Sequence, residues 1–414
     1  MPGACTAAGS PDRRRLSSAL RAIAFAGGLA LAQAALGQGT GRLEVQKIEG
    51  HLAEPARQPF SDERLRQLLV PPGFTIEAFA LDLREPRMLA VSADGTVYVT
   101  ERQAGQVTAL ADTDGDGIAD RREAAVTGLA GVHGVAIRND MIYMATVRQV
   151  LAGRIAEDGG IGDVQRLIGD LPEGGQHPNR TLGIGPDGDL YISVGSPCNA
   201  CAPDSGEQAT ILHAEPNGRS REVFAKGLRN TIGFDWHPRT RELWGMDHGS
   251  DWRGDDLPPE ELNHIRQGDD YGWPWCYGEA EVDPYIPGKP GDAASHQAYC
   301  DATEPAELGY QAHSAPMGMA FYDGESFPED YRGDAFVALH GSWNRNPPTG
   351  YKIIRIRFEN GRPTEAVDFV TGFLSKDGAT QFGRPAGVAV AADGALLFTD
   401  DANGVIYRVS YTGE

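Results

Sequence analysis

Basic residues are in short supply: 37 lysines and arginines stand against 58 aspartates and glutamates, a net charge of −21. So acidic a chain repels polyanions, which argues against nucleic acid or an anionic membrane as a partner. Long apolar runs are missing too. Past the N-terminal region none is long enough to cross a bilayer, so no membrane insertion is expected. Cysteine is sparse, five in 414 residues, and sustained helical periodicity is nearly absent, which leaves little room for a helical domain. A covalent haem is disfavoured because Ala202, not histidine, follows Cys198-Asn199-Ala200-Cys201.

The first 37 residues have the pattern of an export signal. Arg13, Arg14, Arg15 and Arg21 form a basic region, residues 22–32 are apolar but too short to span a membrane, and small residues near 32–37 offer cleavage. An uncleaved anchor is the alternative, but no stop-transfer pattern follows. The arginine run matches the twin-arginine route poorly, which favours the general secretory one. The mature protein is therefore expected in the periplasm or outside the cell. Cys5 leaves with the signal, and Cys198, Cys201, Cys276 and Cys300 remain for an oxidising compartment. Of the three pairings four cysteines allow, closeness in sequence favours Cys198 with Cys201 and Cys276 with Cys300. Cys-Asn-Ala-Cys also has redox and zinc spacing, but neither a thioredoxin-like βαβ pattern nor a second zinc-spaced pair accompanies it.

What is abundant is glycine, 53 residues, and proline, 27. They punctuate turn-then-strand units whose aromatic positions are Tyr98, Tyr143, Tyr191, Trp244, Phe336 and Phe398, spaced by 45, 48, 53, 92 and 62 residues. Asp-Gly ahead of an alternating run is a hairpin signal, read here as a type I′ turn with both central residues at positive φ. Each gap accommodates one four-stranded blade with its loops, so the pattern predicts an all-β, six-bladed β-propeller. A pair of β-sandwiches is the alternative, and it would not need one repeat across the whole chain. The gap of 92 holds a Gly-, Pro- and aromatic-rich insertion, placed at roughly 251–312, which the Cys276–Cys300 pair would pin as a functional rim. The expected organisation is a signal peptide at 1–37, an N-terminal extension at 38–70 with a short helix at 62–69, and the propeller at 71–414.

Residues 112–123 fit the twelve-position calcium loop: Asp112, Asp114, Asp116, the carbonyl of Ile118, Asp120 and Glu123, with Gly117 at the sixth place. A solvated acidic turn is the bland alternative. Strand-like flanks point to a structural calcium clip rather than an EF-hand sensor. The other candidates sit near strand ends: His177 in Gln176-His177-Pro178-Asn179-Arg180, Gly-Leu-Arg-Asn at 227–230, the run 247–251, His313 to Pro316, His340 to Arg345, and Gly383-Arg384-Pro385. A propeller gathers such loops at one end of its channel. There arginines and histidines would suit a small, multiply anionic ligand, because guanidinium forks hold carboxylates bidentately.

With these residues in order, the chain resembles the soluble PQQ-dependent sugar dehydrogenases, the glucose and sorbosone dehydrogenase family. The resemblance covers roughly 70–412 and rests on Thr100-Glu101-Arg102, the stretch 177–195, Gly-Leu-Arg-Asn at 227–230, Tyr-Gly-Trp-Pro at 271–274, Ala315-Pro316 and the loop of Arg384. It implies that His177 is the base that takes a hydroxyl proton while hydride passes to the quinone, and that Arg229 stabilises negative charge on the quinone oxygen. It places Asn230, His313, His340, Arg345 and Arg384 at the PQQ site and the cofactor's Ca2+ on backbone carbonyls of Gly249 and Ser250. Three family residues are replaced: the carboxylate behind the base falls on Ser196, the cofactor lysine on His340, and a second arginine near Ala386. That pattern lies nearer the sorbosone branch. The implied activity is oxidation of an aldose, sorbosone-like or related hydroxy-aldehyde, with electrons leaving to a separate acceptor. A calcium-dependent lactonase and a non-catalytic binding propeller are the alternatives; the first would want a ring of Asp, Glu and Asn, where the sequence loops offer Arg and His.

Overall fold

The computed structural model describes residues 49–413. The expected signal segment, Cys5 and the first part of the extension lie outside the described residues. Six antiparallel four-stranded sheets follow one another along the chain, making the six-bladed propeller that the spacing predicts. The six aromatic positions all fall on the second strand of a blade: Val97–Glu101, Met141–Ala145, Leu190–Val194, Leu243–Asp247, Ala335–Leu339 and Leu396–Asp400. Each ring is at most 6% exposed. A second strand has sheet on both edges and neighbouring blades on both faces, so a large apolar ring there contributes about 1.5–3 kcal/mol by burial.

The hairpin turns differ from the expected type I′. Gly95 has φ 88° but Asp94 does not share it, and the Gly95 N–H donates to the Ser92 carbonyl at 2.9 Å. The Asp94 carboxylate accepts the Thr96 N–H at 3.2 Å. This is a longer turn with glycine in its left-handed place, and it recurs at Gly188 and Gly394. The aspartate is there to accept a backbone N–H, and only the glycine must take positive φ.

Inner strands crowd the axis. A Cβ on Gly134, Gly233, Gly318 or Gly387 would lie 2.1–2.6 Å from a carbonyl oxygen of the neighbouring blade. Side chains are therefore excluded at those places so that adjacent inner strands can meet. The last blade closes the ring with a strand from the other end of the chain, Phe74–Ala80 pairing with Val405–Tyr411. The short helix is Asp62–Leu65, capped by Ser61, shorter than the expected 62–69. The insertion begins later than expected, because Glu260–Ile265 is the third strand of the fourth blade and Leu308–Tyr310 its fourth. Between them lie a small hairpin, the helix His296–Cys300 and the Cys276–Cys300 disulfide. Cys198 pairs with Cys201, as expected. Among the described residues no helix is long and apolar enough to cross a membrane.

Candidate active site

In an antiparallel blade the start of the inner strand and the end of the second strand lie on the same rim. His177 precedes the inner strand Leu182–Ile184, Arg229 and Asn230 precede Gly233–Trp236, His313 precedes Pro316–Phe321, and Arg384 precedes Pro385–Val390. Ser196, His248 and His340 follow second strands. Topology thus delivers the predicted residues to one rim from four blades. A cavity of about 250 Å³ there is lined by His177, Arg229, Gly249 and His313 together with Gln176, His248, Asp251, Glu260, Trp343 and Asn344. A cavity of about 270 Å³ along the channel is lined by inner-strand residues and has Asp235 as its titratable side chain. The rim cavity is far richer in chemistry.

His177 Nδ1 lies 2.9 Å from the Ser196 carbonyl and 2.8 Å from its Oγ. A carbonyl only accepts, and Ser196 Oγ donates its own proton to the Cys198 carbonyl at 2.7 Å. The hydrogen-bond network therefore assigns the proton to Nδ1 and leaves Nε2 as the basic nitrogen. Burial, reinforced by the Arg229 charge, holds the imidazole well below the ordinary histidine pKa, hence neutral. Gly195 makes the fit possible, since a Cβ there would lie 2.6 Å from that of His177 and 2.7 Å from Asn230 Oδ1.

Arg229 is fixed from behind. Its Nε donates to the Asn199 carbonyl at 2.9 Å, and its Nη2 to Asn199 Oδ1 at 2.9 Å and Asp251 at 3.1 Å. Among the described residues Nη1 has no acceptor, nor does the Asn230 side-chain amide make a hydrogen bond. Asn230 and Arg229 are anchored through their backbone N–H groups, both donated to Asp247 at 2.8 Å.

Other predicted residues stand around the cavity or apart from it. His313 Nε2 donates to the Gly254 carbonyl at 2.9 Å. His340 Nε2 lies 2.9 Å from both oxygens of Asp401, which also pairs with Arg87. Burial pushes His340 down to about 4; burial opposes ionisation of Asp401 as well, but the bond from His340 and the Arg87 charge hold it below the usual carboxylate range. Burial thus leaves His340 neutral beside an ionised Asp401. Arg384 Nε and Nη2 each lie 3.1 Å from the carbonyls of His340 and Gly341, respectively. Asn230, Ser250, His340, Arg345 and Arg384 are not among the residues that line the cavity. The three guanidinium nitrogens of Arg345 donate to the Asp255 carbonyl at 2.9 Å, the Pro347 carbonyl at 2.6 Å and Asp256 at 2.8 Å.

The expected calcium loop is only partly assembled. Ligand atoms of Asp112, Asp114 and Asp116 lie within 4.8 Å of one another. Asp120 instead takes the Thr113 hydroxyl at 2.6 Å, and Glu123 belongs to the exposed strand Arg121–Thr127. Neither joins the trio. Glu77, from the strand that closes the ring, interacts with the trio: burial raises its pKa against the lowering Arg408 charge, and Asp116 and Asp112 raise it further.

Sequence reasoning missed Glu260, while Asp251, His248 and Asn344 fall in runs that it singled out. Glu260 is buried, accepts the N–H of Gly249 at 3.0 Å and of Ala315 at 2.8 Å, and burial raises it to about 7. Asp251 and Asn344 join it, bonded to each other at 2.8 Å. His248, whose Nε2 donates to the Pro316 carbonyl, is a second neutral imidazole, lowered to about 4 by burial and the Arg229 charge. An acid inside a strand, satisfied by backbone N–H groups of two distant loops, leaves no local pattern to read.

The TrAA12-like family matches residues 68–412. The chain belongs to that family. Among curated relatives, a pyrroloquinoline quinone-dependent pyranose dehydrogenase of Coprinopsis cinerea is 30% identical over 168 residues, 33% of this chain and 22% of that one. The chain spans 57% and 44% of the length of the first curated relatives it matches. Among solved structures, the Trichoderma reesei carbohydrate-active enzyme of family AA12 superposes with TM-score 0.72 at 22% identity, covering 83% of this chain and 97% of that one. The holo form of the PQQ domain of Coprinopsis cinerea pyranose dehydrogenase gives TM-score 0.69 at 21% identity, covering 86% and 98%. At that identity the structural likeness is one of fold. The TrAA12-like chain thus shares the architecture, and its chemistry rests on its own rim.

Proposed function

We propose that the protein is an exported, PQQ- and calcium-dependent oxidoreductase of the sorbosone-like branch that oxidises an aldose or related hydroxy-aldehyde and passes the electrons to a separate acceptor. The observation that carries this reading is His177, a neutral imidazole whose Nδ1 is spent on Ser196 and whose Nε2 is left to take a proton beside Arg229. The family match and the PQQ-dependent relative support the same class, and residues 1–37 support export to the periplasm or beyond.

The rim suits a quinone that carries carboxylates. Arg229 Nη1 and the Asn230 amide are donors without a protein partner among the described residues, and Arg384 adds positive charge; His340 and His313, whose Nε2 protons go to Asp401 and the Gly254 carbonyl, offer Nδ1 as an acceptor. The carbonyls of Gly249 and Ser250 receive no N–H among the described residues, and Glu260 and Asp251 line the same cavity, which suits a hard divalent cation. When bound, PQQ supplies the two-electron acceptor. The protein's part is to hold the substrate hydroxyl at His177 Nε2, take its proton as hydride leaves the same carbon, and meet growing negative charge with Arg229 Nη1.

A second reading is favoured by one observation. Asp251, Glu260 and Asn344 line the cavity, so it also offers the oxygen ligands that a calcium-dependent lactonase needs. Titrating the purified chain with PQQ and calcium separates the two. The dehydrogenase reading expects a bound-quinone spectrum bleached by aldoses; no such spectrum, with calcium-dependent lactone hydrolysis instead, would replace it.

A further inference from the structure

The connection between the second and third strands of the third blade, from Val194 to Thr210, contains no regular structure. A loop of that length holds its groups in place only if something ties it down. Here Cys198 and Cys201 close a ring of four residues, and oxygens of the ring accept hydrogen bonds from residues of the rim. The Cys198 carbonyl accepts the Ser196 hydroxyl, and that same hydroxyl backs His177 Nδ1. The Asn199 carbonyl and Oδ1 together take Nε and Nη2 of Arg229. Asn199 Oδ1 also accepts the Asp251 N–H at 2.7 Å, and its Nδ2 donates to the Asp251 carbonyl at 3.1 Å. One small ring thus reaches the base, the arginine and an acid of the cavity.

We propose that the disulfide-closed ring 198–201 is a positioning element of the active site, and that Asn199 is the positioning residue that aims Arg229 Nη1 at the reacting oxygen. The inference rests on the oxidoreductase reading for what Arg229 then does, and on geometry alone for how it is held. Loop-closure entropy grows with the length of the loop closed, so a bridge of separation 3 contributes less to global stability than the Cys276–Cys300 bridge of separation 24. Its main effect is local. A guanidinium gripped at Nε and Nη2 cannot rotate about its terminal bonds, which leaves Nη1 with a fixed direction. Such preorganisation is what a charge-stabilising group needs, since small displacements of it carry large rate penalties.

The test uses the full chain loaded with PQQ and calcium, as wild type, Asn199→Ala and the double variant Cys198→Ser with Cys201→Ser. Both variants are expected to lose about 10- to 100-fold in kcat, with KM for the aldose and the PQQ titration midpoint within about twofold of wild type. Thermal midpoints should stay close to wild type in Asn199→Ala. Unchanged kcat overturns the proposal, and so does a loss of kcat that merely tracks loss of PQQ binding and of thermal midpoint, which is the signature of a structural role. A crystal structure of the double variant reads the geometry without any activity: Arg229 and Ser196 displaced supports the ring as the positioning element, and both unmoved overturns it. If wild type takes up no PQQ and oxidises no sugar, the functional reading fails, and the crystal structure alone then decides the positioning claim.

Discussion

His177 owes its tautomer to two oxygens of one serine, and this makes its chemistry testable group by group. Replacing His177 with Ala should lower kcat by about 10² to 10⁴, the usual cost of a lost positioned base, while PQQ still titrates, because the cofactor donors lie on other blades. Ser196→Ala should cost far less, since the Ser196 carbonyl remains to accept from Nδ1; a loss as deep as that of His177→Ala would show that the hydroxyl, not the carbonyl, orients the ring. The pH profile has a definite sign. Burial first, and the Arg229 charge second, lower the His177 pKa, so the base stays unprotonated below the ordinary histidine value of about 6.5. The acid limb of kcat/KM is therefore expected below pH 6.5, and substituting Arg229 by Met should move it upward while lowering the rate. At this scale the sequence made His177, Arg229 and Asn230 legible because each precedes an inner strand in a recognisable motif. Glu260 and Asn199 were not legible, since each has a partner on another blade, Ala315 and Arg229, and only the closed ring brings them together.

Among the elements, the second strands were the readable ones, because each carries a large aromatic and three of the six follow an Asp-Gly turn. Inner strands left little trace: Leu182–Ile184 has three residues, and what defines such strands is glycine excluded from contact by a neighbour's carbonyl. The turn itself was recognised for a partly mistaken reason, its aspartate acting as an acceptor rather than adopting positive φ. The acidic loop shows the same limit of local spacing. Twelve positions match the calcium pattern, yet strand pairing carries Glu123 away with Ala109 as its partner, while Glu77 arrives from the closing strand. If the trio Asp112, Asp114 and Asp116 binds calcium, free calcium at 100 times its Kd should stabilise the fold by about 2.7 kcal/mol. Removing calcium with a chelator should lower the thermal midpoint of wild type but not that of Asp114→Ala with Asp116→Ala. Glu123→Gln should respond to calcium as wild type does, whereas an EF-hand-like site using position twelve would lose the response.

The molecule as a whole is closed by residues far apart in the chain. Phe74 on the closing strand packs against Phe327, Phe369, Tyr331 and Tyr411 with ring centroids 4.8–5.2 Å apart, so the strand both completes the last blade and fills its interface with the fifth. Truncating one such buried ring costs about 3–5 kcal/mol, against a total stability of about 5–15 kcal/mol for a domain. Phe74→Ala should therefore fold with a much lower midpoint, and a chain starting at Asp82, which lacks the strand, should not fold at all. Residues 49–58 tie the rim differently. Their backbone exchanges hydrogen bonds with Trp252, Gly254, Trp343, Ala379 and Gln381, and Trp252 and Trp343 meet edge to face at 5.3 Å. Trp343 lines the cavity and is 37% exposed. A chain starting at Pro59 keeps the closing strand but frees both tryptophan loops, so it is expected to unfold cooperatively at a modestly lower temperature and to show a raised KM with kcat less affected. The opposite split, kcat lost and KM kept, would mean that the segment braces the catalytic groups themselves rather than the mouth through which substrate enters.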